Sequence, residues 1–108
     1  MTTDDELRLI GQRARREEIR WFLLRTMDIA RPAEATLRML HGVVIGLYPD
    51  ATEMEIKREL DYLHGRELIS TRTDPLGQLR AKLERFGVDV VEYTIDCDPG
   101  ISRPPAGS

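Results

Sequence analysis

The sequence predicts a mostly α-helical domain with one small β-hairpin, an α+β fold in which three helices precede the hairpin and a fourth follows it. Apolar residues recur at helical spacing in segments that end near residue 64. A turn sequence, Asp74-Pro75-Leu76-Gly77, then separates two short segments of strand type. A chain of 108 residues is the size of one domain. We place that domain at residues 1–95, followed by a flexible, proline- and glycine-containing tail at 96–108 that is at best an ordered arm.

The first two predicted helices are separated by a proline. The first spans Asp4 to about Ile29, as one long helix or two abutting ones, and ends at Arg31-Pro32, because a residue before proline avoids helical geometry. The second runs from about Ala33 to Tyr48 and is stopped by Pro49. Its apolar stripe is unbroken, and we expect it to be the most buried helix.

The third predicted helix runs from Glu53 to about His64. Thr52 marks its start, because a threonine hydroxyl can accept a hydrogen bond from the backbone N–H of Glu55, whose carboxylate can reach back to the threonine N–H. Gly65 lies where a left-handed residue would close the helix.

Two alternating strands follow, at Leu68–Thr73 and Gln78–Leu83. Alternation in the second strand places Arg80 and Lys82 on the face opposite its three apolar residues. The segment 84–95 carries features of both a helix and a strand, and we predict a helix.

Composition excludes several functional classes. The net charge of −3 counts against nucleic acid as a partner, since many DNA-binding domains are basic. No apolar run reaches the length of a membrane span, and Met1-Thr2-Thr3 does not open a signal peptide. The single Cys97 suits a reducing cytoplasm. His41, His64 and Cys97 lack the spacing of metal ligands or of a catalytic dyad, so we expect no enzyme, no cofactor and no metal.

The order of elements resembles the winged helix-turn-helix superfamily over about residues 15–95. Glu55 to Leu63, with Gly65 and Leu68-Ile69, is similar to the helix-to-strand junction of that superfamily. Leu83-Glu84-Arg85-Phe86-Gly87 is similar to its Leu-Thr-x-x-Gly step, although Glu84 cannot supply the usual hydroxyl cap. Residues 87–104 look more narrowly like small winged-helix proteins of Mu-like phages and prophages. The resemblance implies a small DNA-associated protein.

The resemblance also implies two DNA-contacting elements. The third helix would be the recognition helix, which lies in the major groove, and would present Lys57, Arg58, Tyr62 and Arg66. Residues 53–67 hold five acids and three bases, so the helix can approach phosphates only if its acids point elsewhere. The alternative is an ordinary solvated helix face.

The hairpin would be the wing, where the sequence concentrates positive charge. Its candidate phosphate or minor-groove contacts are Arg72, Arg80, Lys82 and Arg85. The alternative is a polar face that only blunts an exposed sheet edge.

The first helix carries the candidate dimer contacts. Trp21 and Phe22 are adjacent and cannot face one core from the same helix. Because Phe22 belongs to the buried stripe, Trp21 and Leu24 are predicted to form a dimer interface. The alternative is that Trp21 packs against the chain's own tail.

Two functional hypotheses follow. The first is a homodimeric, phage-type winged-helix regulator of transcription that binds double-stranded DNA. The second is a winged-helix module for protein association without DNA binding, which the net charge of −3 and the acidic third helix favour.

Overall fold

The computed structural model describes residues 3–107 and shows four helices and one three-stranded antiparallel sheet. This confirms the mixed α and β class. The elements are α1 (Thr3–Ala30), β1 (Ala35–Thr36), α2 (Leu37–Val44), α3 (Glu53–Gly65), β2 (Ile69–Thr73), β3 (Leu79–Leu83) and α4 (Arg85–Val91).

The first helix is continuous, and the second is shorter than the sequence indicates. Residues 35 and 36 form β1, which pairs with β3 through Ala35 opposite Ala81 and Thr36 opposite Arg80. Only Leu40 and Val44 of α2 are buried, whereas Met39 and Val43 are exposed. The expectation that this helix is the most buried one is therefore wrong, because α2 packs on α1 and α3 along one narrow side.

The third helix begins as predicted. The Thr52 hydroxyl accepts a hydrogen bond from the backbone N–H of Glu55 at 3.1 Å. The reciprocal bond does not form, because the Glu55 carboxylate binds Arg15 of α1 instead. The left-handed residue after the helix is Glu67, with φ of 62°, and not Gly65, which is the last residue of α3.

The hairpin agrees with the predicted turn. The Asp74 carboxylate accepts hydrogen bonds from the backbone N–H groups of Leu76 and Gln78, and Gly77 adopts a left-handed φ of 82°. Strands β2 and β3 pair from Thr73 opposite Leu79 to Ile69 opposite Leu83. The sheet order is β1-β3-β2, so β3 is the central strand.

The segment after β3 is helical only to Val91, and the tail then returns across the domain. Arg103 donates hydrogen bonds to the carbonyls of Val90 and Ile95, and the Ser102 N–H donates to the Glu17 carbonyl. Ile101 joins the buried core. Residues 97–104 thus lie against the domain as an arm.

Candidate nucleic-acid interface

An open cleft lies where the beginnings of α2 and α3 meet the turn of the hairpin. Its volume is about 320 Å³. It combines two cations, one acid and the polar end of the hairpin. The lining residues are Thr36, Leu37, Arg38, Glu53, Lys57, Gly77, Gln78 and Leu79.

Local structure fixes the position of α2 in this cleft. The Thr36 hydroxyl accepts a hydrogen bond from the backbone N–H of Met39 at 3.1 Å and so caps α2. The same residue pairs with Arg80 of β3. The start of α2 is therefore joined to the hairpin by the sheet, and Arg38 projects beside that junction as an exposed side chain.

Two acids of α3, Glu55 and Glu59, face α1. Both nitrogens of the Arg15 fork donate to the Glu55 carboxylate at 2.8 Å, and a third bond from Arg15 reaches Asp50 at 3.0 Å. The hydrogen bond to Glu55, followed by that to Asp50, raises the pKa of Arg15. Arg15 also lies over the Tyr48 ring, and the bond from the Tyr48 hydroxyl to Glu18 raises the pKa of Tyr48 to about 12.

Glu59, one turn further along α3, forms the most enclosed ion pair. Arg20 donates to it at 2.8 Å, and the two side chains are only 12% and 5% exposed. Arg20 also lies 3.5 Å from the centroid of the Tyr62 ring and donates to the Gly100 carbonyl. Two of the five acids between residues 53 and 67 therefore point at α1 and not at the open face of α3.

Two predicted recognition residues lie on that same enclosed side. The Tyr62 ring is packed under Arg20, and its hydroxyl accepts a hydrogen bond from Arg66 at 3.0 Å. Arg66 donates further to the carbonyls of Pro99 and Asp98. The arm of the chain contacts Arg66, and Arg20 covers the Tyr62 ring, so both side chains are engaged within the domain, and their contact with DNA stays a prediction. Lys57 and Arg58 are exposed on the other side, as predicted.

The arginines of the hairpin are largely paired with carboxylates. Arg72 binds both oxygens of Glu34 and keeps the pKa of that carboxyl below its ordinary value. Arg80 binds Asp74 at 2.8 Å and, with the backbone donors of the turn, lowers the pKa of Asp74. Arg85 lies 3.6 Å from Asp89. Of the four predicted residues, only Lys82 is exposed without an ion pair in the described chain.

Unpaired positive charge therefore coincides only in part with the residues that the sequence indicated, at Lys57, Arg58 and Lys82. Within residues 3–107, six cations make no ion pair or side-chain hydrogen bond: Arg8, Arg16, Arg38, Lys57, Arg58 and Lys82. Arg38 and Lys57 line the cleft together. Arg38 was not predicted, although it is the only arginine between Pro32 and Pro49, and this isolation in an apolar segment is the signal that could have identified it.

The predicted dimer residues are part of the protomer's own core. Leu24 is 0% exposed and Trp21 8% exposed. Trp21 packs edge-on against Tyr93 at a centroid distance of 6.3 Å, and the Tyr93 hydroxyl donates to the Pro104 carbonyl. Trp21 therefore packs against Tyr93, which lies just before the tail and is hydrogen-bonded to it, and neither Trp21 nor Leu24 offers an open surface to a second copy.

Other chemistry is sparse in the part of the chain that the structure describes. No group of three or more His, Cys, Asp and Glu residues between positions 3 and 107 is arranged to hold a metal ion. His41 Nε2 donates to the Ala51 carbonyl at 2.7 Å and ties α2 to the loop before α3. Burial raises the pKa of the Cys97 thiol. No helix among these residues is long and apolar enough to span a membrane.

Comparison with protein-family models, curated proteins and solved structures finds no match for this chain. Its function must therefore be argued from its own surface.

Proposed function

We propose that this chain is a winged-helix protein that binds double-stranded DNA and acts as a dimeric regulator. The observation that carries the proposal is the division of charge on α3. Its acids Glu55 and Glu59 are bound by arginines of α1, whereas Lys57 and Arg58 stay unpaired on the open side. This pairing reduces the negative charge that α3 presents to phosphates, although Glu53 and Asp61 stay exposed on the turns before and after Lys57.

The cleft would receive the sugar-phosphate backbone. Arg38 and Lys57 supply two cations there against one acid, Glu53, and the capped start of α2 lies at the same cleft. Arg58 on α3 and Lys82 on the hairpin would extend the contact on either side. With few unpaired cations, binding to arbitrary sequences would be modest and sensitive to salt.

Fluorescence anisotropy with the full chain and a mixed-sequence DNA duplex tests this proposal at about 50 mM and about 200 mM salt. We expect binding that weakens steeply between the two conditions. The double variant R38Q/K57Q should bind all sequences more weakly. Its plot of log affinity against log salt should be shallower by up to about 1.8, since each lost phosphate contact removes about 0.9.

A control variant, R25Q/R31Q, removes two exposed cations near the end of α1. It changes the net charge equally and should leave DNA binding unchanged. Absence of wild-type binding at the lower salt would contradict the proposal. Equal losses in the two double variants would show that net charge alone, and not the cleft, determines binding.

A protein-association module is the second candidate, and one observation favours it. Met39 and Val43 lie one turn apart on α2 and are both 41% exposed, with Leu47 exposed just beyond the helix. No DNA binding at the lower salt, together with a stable protein complex that M39D/V43D abolishes, would favour this function over the first.

A further inference from the structure

The first turns of α1 project from the rest of the domain. Residues 3–14 are all exposed, and the molecule measures 48 Å along its longest axis against 24 Å along its shortest. At a rise of 1.5 Å per residue, this segment is about 18 Å long. Leu7 and Ile10 are 61% and 63% exposed. An exposed apolar stripe on a helix that projects from its domain is typical of a helix that packs against a partner helix.

The stripe has the spacing of a helix–helix seam. Leu7, Ile10 and Ala14 follow one another by three and four residues and therefore share one side of α1. Leu9 lies on the opposite side of the same turns and is 50% exposed. Further along, the corresponding side of α1 is covered at Trp21 by Tyr93. The free stripe thus ends where the chain's own contacts begin.

The charges around the stripe select a second copy in antiparallel orientation. The first turn is acidic, with Asp4, Asp5 and Glu6, whereas Arg13 and Arg16 follow two to three turns later. Antiparallel pairing puts the acidic end of each helix beside the basic end of the other, and parallel pairing would oppose like charges. Arg13 is 73% exposed, and its ionic neighbour within residues 3–107 is Glu17 of its own helix.

We propose that two copies of this chain pair through antiparallel contact of residues 3–14. Leu7 of one copy packs against Ile10 of the other, and Glu6 lies beside Arg13 in two symmetric pairs. Such a seam buries on the order of 1,000 Å², the lower end for a specific interface, so the dimer dissociates readily. The role of this dimer, which is to place two DNA-binding surfaces together, rests on the proposed function.

Sedimentation equilibrium of the full chain over a wide concentration range tests the pairing. We expect a reversible monomer–dimer equilibrium. I10E should raise the dimer dissociation constant more than about tenfold, because the seam would enclose an unpaired carboxylate. L9E is the matched control: it adds the same group one residue away on the opposite side and should leave the dissociation constant unchanged. Far-UV circular dichroism of both variants checks that α1 stays helical.

A charge swap tests the register. E6R and R13E should each weaken the dimer, and the double variant E6R/R13E should restore it, because the two symmetric pairs re-form with their charges exchanged. A chain that stays monomeric, a dimer that tolerates I10E, or a swap that fails to restore association would overturn the proposal. DNA binding is measured separately: a normal dimer without DNA binding refutes the proposed function alone, and a monomer that binds DNA refutes the pairing alone.

Discussion

The two faces of α3 carry the same kinds of residues but use them differently. On the face toward α1, Glu55 and Glu59 each bind an arginine, and Tyr62 is packed beneath Arg20. On the open face, Lys57 and Arg58 are bound to nothing in residues 3–107. Charges on the enclosed face therefore stabilise the domain, whereas those on the open face are free for a ligand. The total charge of a helix is a poor guide to the charge that it presents.

The largest effect should come from breaking the Arg20–Glu59 pair on the enclosed face. E59L leaves the buried Arg20 guanidinium without its carboxylate, and R20M leaves the buried Glu59 carboxylate without its guanidinium. Each should therefore lower the free energy of unfolding by about 3 kcal/mol. The double variant R20M/E59L leaves no charge unpaired and should recover much of that loss. Denaturation by urea measures all three.

R85A is the control for that cycle. It removes an exposed pair with Asp89 one turn away and should cost less than about 0.5 kcal/mol. Strict additivity of E59L and R20M in the double variant would mean that the two side chains do not act as a pair.

A smaller effect is expected where the arm of the chain crosses the same face. Gly100 has a φ of 113°, and a Cβ there would overlap the Tyr62 hydroxyl oxygen. G100A should therefore lower the free energy of unfolding by about 1–3 kcal/mol, the usual cost of a strained backbone. Hydrogen exchange at Ile101 and Arg103 should become faster as the arm loosens.

G65A is the matched substitution at the end of α3. A Cβ at Gly65 would meet nothing within 4 Å, so alanine should be neutral or stabilise the helix by up to about 1 kcal/mol. Equal losses in G65A and G100A would argue against a close fit between the arm and α3.

Features built from neighbouring residues are those that the sequence predicted well. The bond from the Glu55 N–H to the Thr52 hydroxyl and the Asp74-Pro75-Leu76-Gly77 turn are set by contacts within a few residues, and both were found as expected. The two-residue strand β1 is too short to show periodicity. It forms only because β3 offers it a partner, with paired residues such as Ala35 and Ala81 far apart in sequence. Likewise, nothing local tells whether Tyr62 faces a ligand or an arm that begins more than 30 residues away.

The hairpin contains an ion pair, Arg80–Asp74, whose contribution to stability depends on pH. Because Arg80 and the turn N–H groups lower the pKa of Asp74 below its ordinary 3.8, the folded chain binds this proton more weakly than the unfolded chain. The contribution of Asp74 is therefore present above pH 3.8 and is lost as the pH falls through the lower folded-state pKa. Thermal unfolding measures this effect. As the pH falls through this range, the melting temperature of D74N should decrease less steeply than that of the wild type; we call this low-pH decrease the acid limb.

E34Q is the comparison for D74N, since the pKa of Glu34 is lowered by Arg72 on the same face. It should flatten the acid limb in the same direction. If D74N leaves the acid limb unchanged, Asp74 is not held in the folded state as a carboxylate paired with Arg80.

The smallest effect on stability is expected on the open face of α3. K57Q/R58Q removes two exposed charges that form no ion pair within residues 3–107, and glutamine favours a helix about as well as lysine and arginine. The free energy of unfolding should change by less than about 0.5 kcal/mol. DNA binding by the same variant should nevertheless weaken at every sequence, with a reduced dependence on salt. A variant that is as stable as the wild type and binds DNA equally well would leave the open face without a role and move the argument to the apolar side chains of α2.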